Sequence, residues 1–133
     1  MIVADASWII ALRDSGDRHH ASAIALNEAT VDDVIVVHPL TLAECLVGAA
    51  RLGQLDAAAG ALRAAFEIVD IGTDAPLRWA NIRAATSLGL PDAIVLDTAI
   101  VHAASMILTF DPQLAAEATT RAIASPSTAR PSE

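Results

Sequence analysis

Short apolar runs alternate along this chain with stretches of helical spacing, and the first and last of the four end beside a carboxylate. Ile2-Val3-Ala4 is cut off by Asp5, after which Ile9, Ile10 and Leu12 recur at helical intervals. An unbroken apolar run this short suits a strand buried on both faces, because a half-exposed strand would alternate with polar residues. Residues 14–20 are polar and contain Gly16, which predicts a loop. Residues 20–29 follow as a helix with Ala23, Ile24 and Leu26 available for packing. Asp32-Asp33 turn the chain into a second, β-branched strand over residues 34–37, which Pro39 stops. Thr41 and Glu44 have the spacing of a capping box, which predicts a helix starting at Thr41 and running through Leu46 and Val47 toward Gly53.

A second, Ala-rich helix over residues 55–66 makes an αα-hairpin with it, and residues 67–71 form a weaker third strand. Asp74 caps a helix carrying Leu77, Trp79, Ile82 and Arg83 that stops near Gly89. Pro91 and Asp92 open the next helix, whose body covers residues 93–104. A fourth strand over 106–109 leads directly to Asp111, and 114–119 and 121–124 are predicted as a short helix and a fifth strand. Residues 125–133 are rich in Pro and Ser with no apolar pattern, so they are expected to form a flexible C-terminal tail. No stretch repeats another. Strands alternating with helices predict an α/β fold with a central parallel sheet of four to five strands, covered on both faces, in one domain over residues 1–124.

Composition narrows the classes of function. The 133 residues carry a net charge of -8, and all eight basic residues are Arg. That balance argues against broad, non-specific attraction to phosphate backbones, while leaving room for an enzyme whose acids gather in one pocket. No apolar run approaches the roughly 18 residues needed to span a bilayer, so no membrane contact is expected. Asp5 interrupts the N-terminus before a leader could form, and the single Cys45 offers no internal disulfide, so a reducing cytoplasm is the expected setting. With no Tyr and only two Phe, aromatic platforms for nucleobases are not expected.

Four acids stand out by position. Asp5 and Asp111 follow apolar strands, Glu44 lies early in the helix after the second strand, and Asp92 opens the helix before the fourth. In a parallel sheet all four places can face one rim. At close range their like charges would raise at least one pKa unless a cation lay between them. Hard oxygen donors of this kind suit Mg²⁺ or Mn²⁺, and the chemistry most consistent with four acids and no Lys is hydrolysis of a phosphodiester.

Each acid also has a plainer explanation. Asp5 can simply terminate a strand, and the capping box accounts for Glu44. Asp92 suits the positive end of any helix dipole, and Asp111 can be a turn residue before Pro112. Asp97, about 140° round the helix from Asp92, is expected to face elsewhere. His19 and His20 suit a helix start, while His38 and His102 lack ligand-like spacing and read as solvent-facing or satisfied core residues. Cys45 reads as a small packed residue, and Trp8 and Trp79 as packing or interface residues. Arg13, Arg51, Arg78 and Arg83 can either contact substrate phosphates or balance surface acids.

The runs Ile2-Val3-Ala4-Asp5-Ala6-Ser7, Thr41-Leu42-Ala43-Glu44, Leu90-Pro91-Asp92-Ala93-Ile94 and Leu108-Thr109-Phe110-Asp111 together resemble the PIN-domain nucleases, in particular the short VapC-type toxins of bacterial toxin–antitoxin modules. The resemblance covers roughly residues 1 to 124. It implies a three-layer α/β/α sandwich, Mg²⁺- or Mn²⁺-dependent endoribonuclease activity and a homodimer. It also implies inhibition by a cognate antitoxin whose C-terminal segment reaches the acidic pocket. Matched residue by residue, Asp5, Glu44, Asp92 and Asp111 correspond to the acidic tetrad, with Asp5 and Asp92 as direct metal ligands and Ser7 and Thr109 as supporting hydroxyls. Two rival readings are a phosphoryl-transfer fold of the phosphatase or receiver type, which the absence of Lys disfavours, and a non-catalytic interaction protein on the same fold.

Overall fold

The apolar runs become the strands of a computed structural model that describes residues 1–126. β1 (Ile2–Ala4), β2 (Ile35–Val37), β3 (Glu67–Ile68) and β4 (Met106–Leu108) pair in parallel, in the order β3-β2-β1-β4. Ile2 faces Ile35 on one side and Met106 on the other, so the first strand of the chain lies inside the sheet. From β1 the chain proceeds outward to β2 and β3, then returns to the opposite side of β1 as β4. Such a reversal opens a crevice at the carboxyl ends of the two flanking strands, where α/β sheets receive ligands. Asp5 follows β1 and Thr109-Phe110-Asp111 follow β4, so the topology brings them to that crevice.

Among the described residues seven helices cover the sheet: α1 (Ala6–Arg13), α2 (His20–Ala29), α3 (Pro39–Arg51), α4 (Leu55–Ala65), α5 (Ala75–Ala85), α6 (Leu90–Val101) and α7 (Pro112–Thr120). Strand alternation divides the core in two. Ile2, Ala4, Ile35, Val37 and Leu108 pack on one face against Trp8, Ile9, Ala23, Leu42 and Leu62 of α1 to α4. Val3, Val36 and Ile107 point the other way, against Val95, Leu96, Ala99, Leu114 and Ala118 of α6 and α7. The result is the expected three-layer sandwich. Each large side chain buried this way is worth about 1.5–3 kcal/mol, which is how strands of only three residues hold their places. Trp8, fully buried, meets Phe66 edge-on and anchors the first face. Among the described residues, no single helix is long and apolar enough to cross a membrane.

Several boundaries differ from expectation, each for a local reason. α3 starts at Pro39, not Thr41. His38 is its N-cap, with Nδ1 accepting from the Leu40 amide at 3.0 Å, and Pro39 sits at N1 where its missing N–H costs nothing. Thr41 is thus inside the helix and buried, and the capping box does not form. α5 stops at Ala85 because Thr86 turns extended, its hydroxyl accepting from the Leu88 amide. α6 begins at Leu90 and closes at Val101, where Ala103 adopts a left-handed φ of 51° and the Ala104 amide bonds back to Ala99. The third strand is only two residues long, and Gly72 at φ 81° turns the chain soon after it. The fifth strand shrinks to one parallel bridge between Ala124 and Met106. Of the predicted tail, Ser125 bonds to the Ile107 carbonyl, and residues 127–133 lie outside the described residues.

Candidate active site

Asp5 occupies the N-cap position of α1, yet its side chain makes no capping bond. Oδ2 instead accepts from Thr109 Oγ1 at 2.7 Å and from Ser7 Oγ at 2.9 Å. The two hydroxyls are themselves fixed: Ser7 Oγ accepts from the Phe110 amide, and Thr109 Oγ1 from the Asp111 amide. Asp5 is only 7% exposed, and among the described residues no Arg forms an ion pair with it. A buried carboxylate held by hydroxyls, without a cation beside it, is poorly explained as a strand terminator.

Asp92 lies in the first turn of α6 and Asp111 is the N-cap of α7, where its Oδ1 accepts from the Gln113 and Leu114 amides. A hydrogen bond between the two side chains is among the causes that raise Asp92. Two carboxyl groups share such a bond only when one keeps its proton. Asp92 is accordingly pushed up to about 7, first by burial, next by that hydrogen bond, then by the charges of Asp111, Asp5 and Glu44. Glu44, on the exposed side of α3, is also raised, by partial desolvation and then by Asp5. Four acids from four separate parts of the chain therefore act on one another through a common field.

This donor set is all hard oxygen. Among the described residues, however, no group of three or more His, Cys, Asp or Glu is spaced to enclose a metal ion. Oxygen donors of this kind are the type that Mg²⁺ takes when it keeps several of its waters, and the described residues form no all-protein cage.

A family model for the PIN domain matches residues 2–118. The chain belongs to the PIN domain family. Solved structures with the same fold include a toxin–antitoxin complex from Klebsiella pneumoniae, 30% identical, covering 86% of this chain and 91% of that one with a TM-score of 0.72. The Mycobacterium tuberculosis toxin VapC20, described as cleaving the sarcin–ricin loop, is 21% identical over 88% of this chain and 95% of its own, with a TM-score of 0.70. VapBC2 from Rickettsia felis, solved on a fragment of promoter DNA, is 15% identical over 94% and 97%, with a TM-score of 0.68. No curated protein matches the chain.

Other polar residues of this PIN domain have partners apart from the four acids. Asp97 does face elsewhere. Buried at 5% exposure, it accepts from Arg78 Nε at 2.9 Å and Trp79 Nε1 at 3.1 Å. Arg78, its side chain 39% exposed, is thereby paired with Asp97 through Nε, and the exposed Arg83 donates from Nε to the Leu88 carbonyl. Arg13 and Arg51 stay exposed, Arg13 close enough to Cys45 to lower its pKa slightly against the stronger effects of burial, Glu44 and Asp5. Those raise the Cys45 thiol to about 12, which makes it inert. His20 Nδ1 donates to the Ala11 carbonyl. His38 is buried and has no ligand role, but it is not fully satisfied, since Nε2 has no partner among the described residues.

Sequence reasoning missed the stacking of His19 on Phe110, with ring centroids 4.3 Å apart and planes 7° from parallel. The two rings come from opposite ends of the chain, and a count of Tyr and Phe overlooks the histidine.

Proposed function

We propose that this PIN domain is a divalent-metal-dependent endoribonuclease, the toxin of a type II toxin–antitoxin pair, acting in the cytoplasm. What supports this is the shared field of Asp5, Glu44, Asp92 and Asp111 without a compensating Arg, on a fold whose relatives include toxins and toxin–antitoxin complexes. Asp5 and Asp92 are the proposed direct ligands of Mg²⁺ or Mn²⁺, with Glu44 and Asp111 acting through water. Such an ion lowers the pKa of water and neutralises charge on phosphate oxygens. Ser7 and Thr109 hold Asp5 by one oxygen, Oδ2, and the other is the proposed ligand atom. Asp92, raised to about 7, would have to lose its proton for its carboxylate to serve as a ligand. Glu44, exposed and within the field of Asp5, is the proposed residue to orient a water beside the scissile phosphate. A cognate antitoxin covering the pocket and a homodimer complete the proposal.

The spacing of the acids is the one observation that favours a non-catalytic interaction protein. One experiment separates the two. The purified chain should degrade single-stranded RNA with Mn²⁺ or Mg²⁺, lose that activity in chelator, and lose it again as Asp5→Asn. Its melting temperature should rise with Mn²⁺, because a ligand that binds only the folded state stabilises it. Cleavage by Asp5→Asn at the wild-type rate, or a melting temperature indifferent to both ions, would overturn the assignment.

A further inference from the structure

Phe110 leaves the chain between Thr109, which bonds to Asp5, and the pocket acid Asp111, and its own amide is bonded to Ser7. Its ring is partly buried against the first core face, which fixes its plane. His19, in the loop joining α1 to α2, lies flat on it. The loop is held by its own acids: Asp14 Oδ1 accepts from the Gly16 amide, and Asp17 Oδ1 from the His19 amide at 2.8 Å. Arg18 is exposed and donates from Nε to His19 Nε2 at 3.1 Å, which pins the imidazole edge. Two aromatic planes and a guanidinium are thus pre-organised on the residue that separates Thr109, bonded to Asp5, from Asp111.

We propose that His19, stacked on Phe110 and clipped by Arg18, is a platform for an unpaired nucleobase next to the scissile phosphate. The proposal rests on the ribonuclease reading above and names the part of the substrate that the site grips. Charge alone cannot do this, because a chain with eight Arg, no Lys and a net charge of -8 has little to offer a phosphate backbone. Stacking is indifferent to that sign, since every base has a π-face, and Arg18 adds a cation at its edge. A base can lie on the platform only when it is out of a duplex, so the substrate class is single-stranded or looped RNA.

The test uses a short single-stranded RNA of mixed sequence containing 2-aminopurine, titrated in chelator so that nothing is cut. Wild type should quench the fluorophore. His19→Ala should lose the quench and bind about fivefold or more weakly, the lower end of what one stacked base contributes. His19→Phe keeps the flat face and should restore both, while melting temperatures of the three agree. In the cleavage assay with Mn²⁺, the loss in His19→Ala should fall on KM more than on kcat. Equal binding by wild type and His19→Ala, or a His19→Phe no better than His19→Ala, overturns the platform. If wild type meanwhile cleaves RNA, the ribonuclease reading stands alone; if wild type neither binds nor cleaves, both readings fall.

Discussion

Thr109 Oγ1 donates to Asp5 Oδ2 over 2.7 Å, joining the ends of two neighbouring parallel strands across 104 positions of sequence. The same hydroxyl accepts from the Asp111 amide, so one side-chain atom sets the spacing of two pocket acids. Thr109→Val preserves shape and removes these two bonds and the 3.3 Å one to Ser7 Oγ in a fully buried place. It should lower stability by about 1–3 kcal/mol, the usual cost of stranding a buried polar group. Metal-dependent cleavage should fall without vanishing, since Ser7 still holds Asp5. Urea unfolding and initial rates measure the two effects, and a variant as stable as wild type would remove Thr109 from this role.

The pH dependence of the metal-free fold has two opposed contributions. Asp92 keeps its proton in the folded chain to about pH 7, whereas the unfolded chain releases it near 4, so this group makes the fold less stable as pH rises through that window. His38 works the other way. Burial lowers its pKa against a smaller raising effect of Asp97, so stability present above about 6.5 is lost as the pH drops below it. Asp92→Asn should therefore be more stable than wild type at pH 7.5 in chelator, by about 1 kcal/mol after allowance for solvent screening, with the difference closing toward pH 4. Denaturant titrations at both pH values decide it, and a constant difference would contradict the assignment.

Asp97 carries structure and not chemistry. Asp97→Ala strands Trp79 Nε1 and unpairs Arg78, and should cost about 1–3 kcal/mol, moderated because the Arg78 side chain is 39% exposed. RNA cleavage per folded molecule should match wild type. Thermal melting combined with an active-fraction assay checks this, and a specific loss of activity in a fully folded variant would place Asp97 in the site.

His38 holds the start of α3, the helix that bears Glu44. His38→Asn supplies another good capping side chain and should leave stability within a few tenths of a kcal/mol, whereas His38→Leu should cost about 1 kcal/mol through the lost cap. Equal melting temperatures for the two variants would show that the capping bond contributes nothing.

Much of this architecture is written locally in the chain. Ile2-Val3-Ala4 and Met106-Ile107-Leu108 are apolar without alternation because both faces of their sheet are covered. The αα-hairpin is visible in the helical spacing on either side of Gly53, which takes a φ of 70° that other residues resist. Thr41 and Glu44 mislead for an instructive reason. The spacing of a capping box is genuine, but Pro39 two residues earlier already fits N1, and histidine is an uncommon cap that local rules do not favour. The fifth strand fades because only Ala124 finds a ladder partner. The Arg78–Asp97–Trp79 contact and the His19–Phe110 stack leave no local signal at all, since each joins residues whose neighbourhood is fixed only by folding.

Asp111 has two attachments: one oxygen secures the first turn of α7, and its carboxyl also meets Asp92. Beyond α7, the Ile123 amide returns to Ala118 and Ala124 pairs with Ser105 and Ile107 at the edge of the sheet. Occupancy of the pocket should consequently be legible at a distance. Amide hydrogens at Gln113 and Leu114 should exchange more slowly once Mn²⁺ replaces the shared proton, and an exchange rate indifferent to the ion would mean that α7 is anchored without help from the acids.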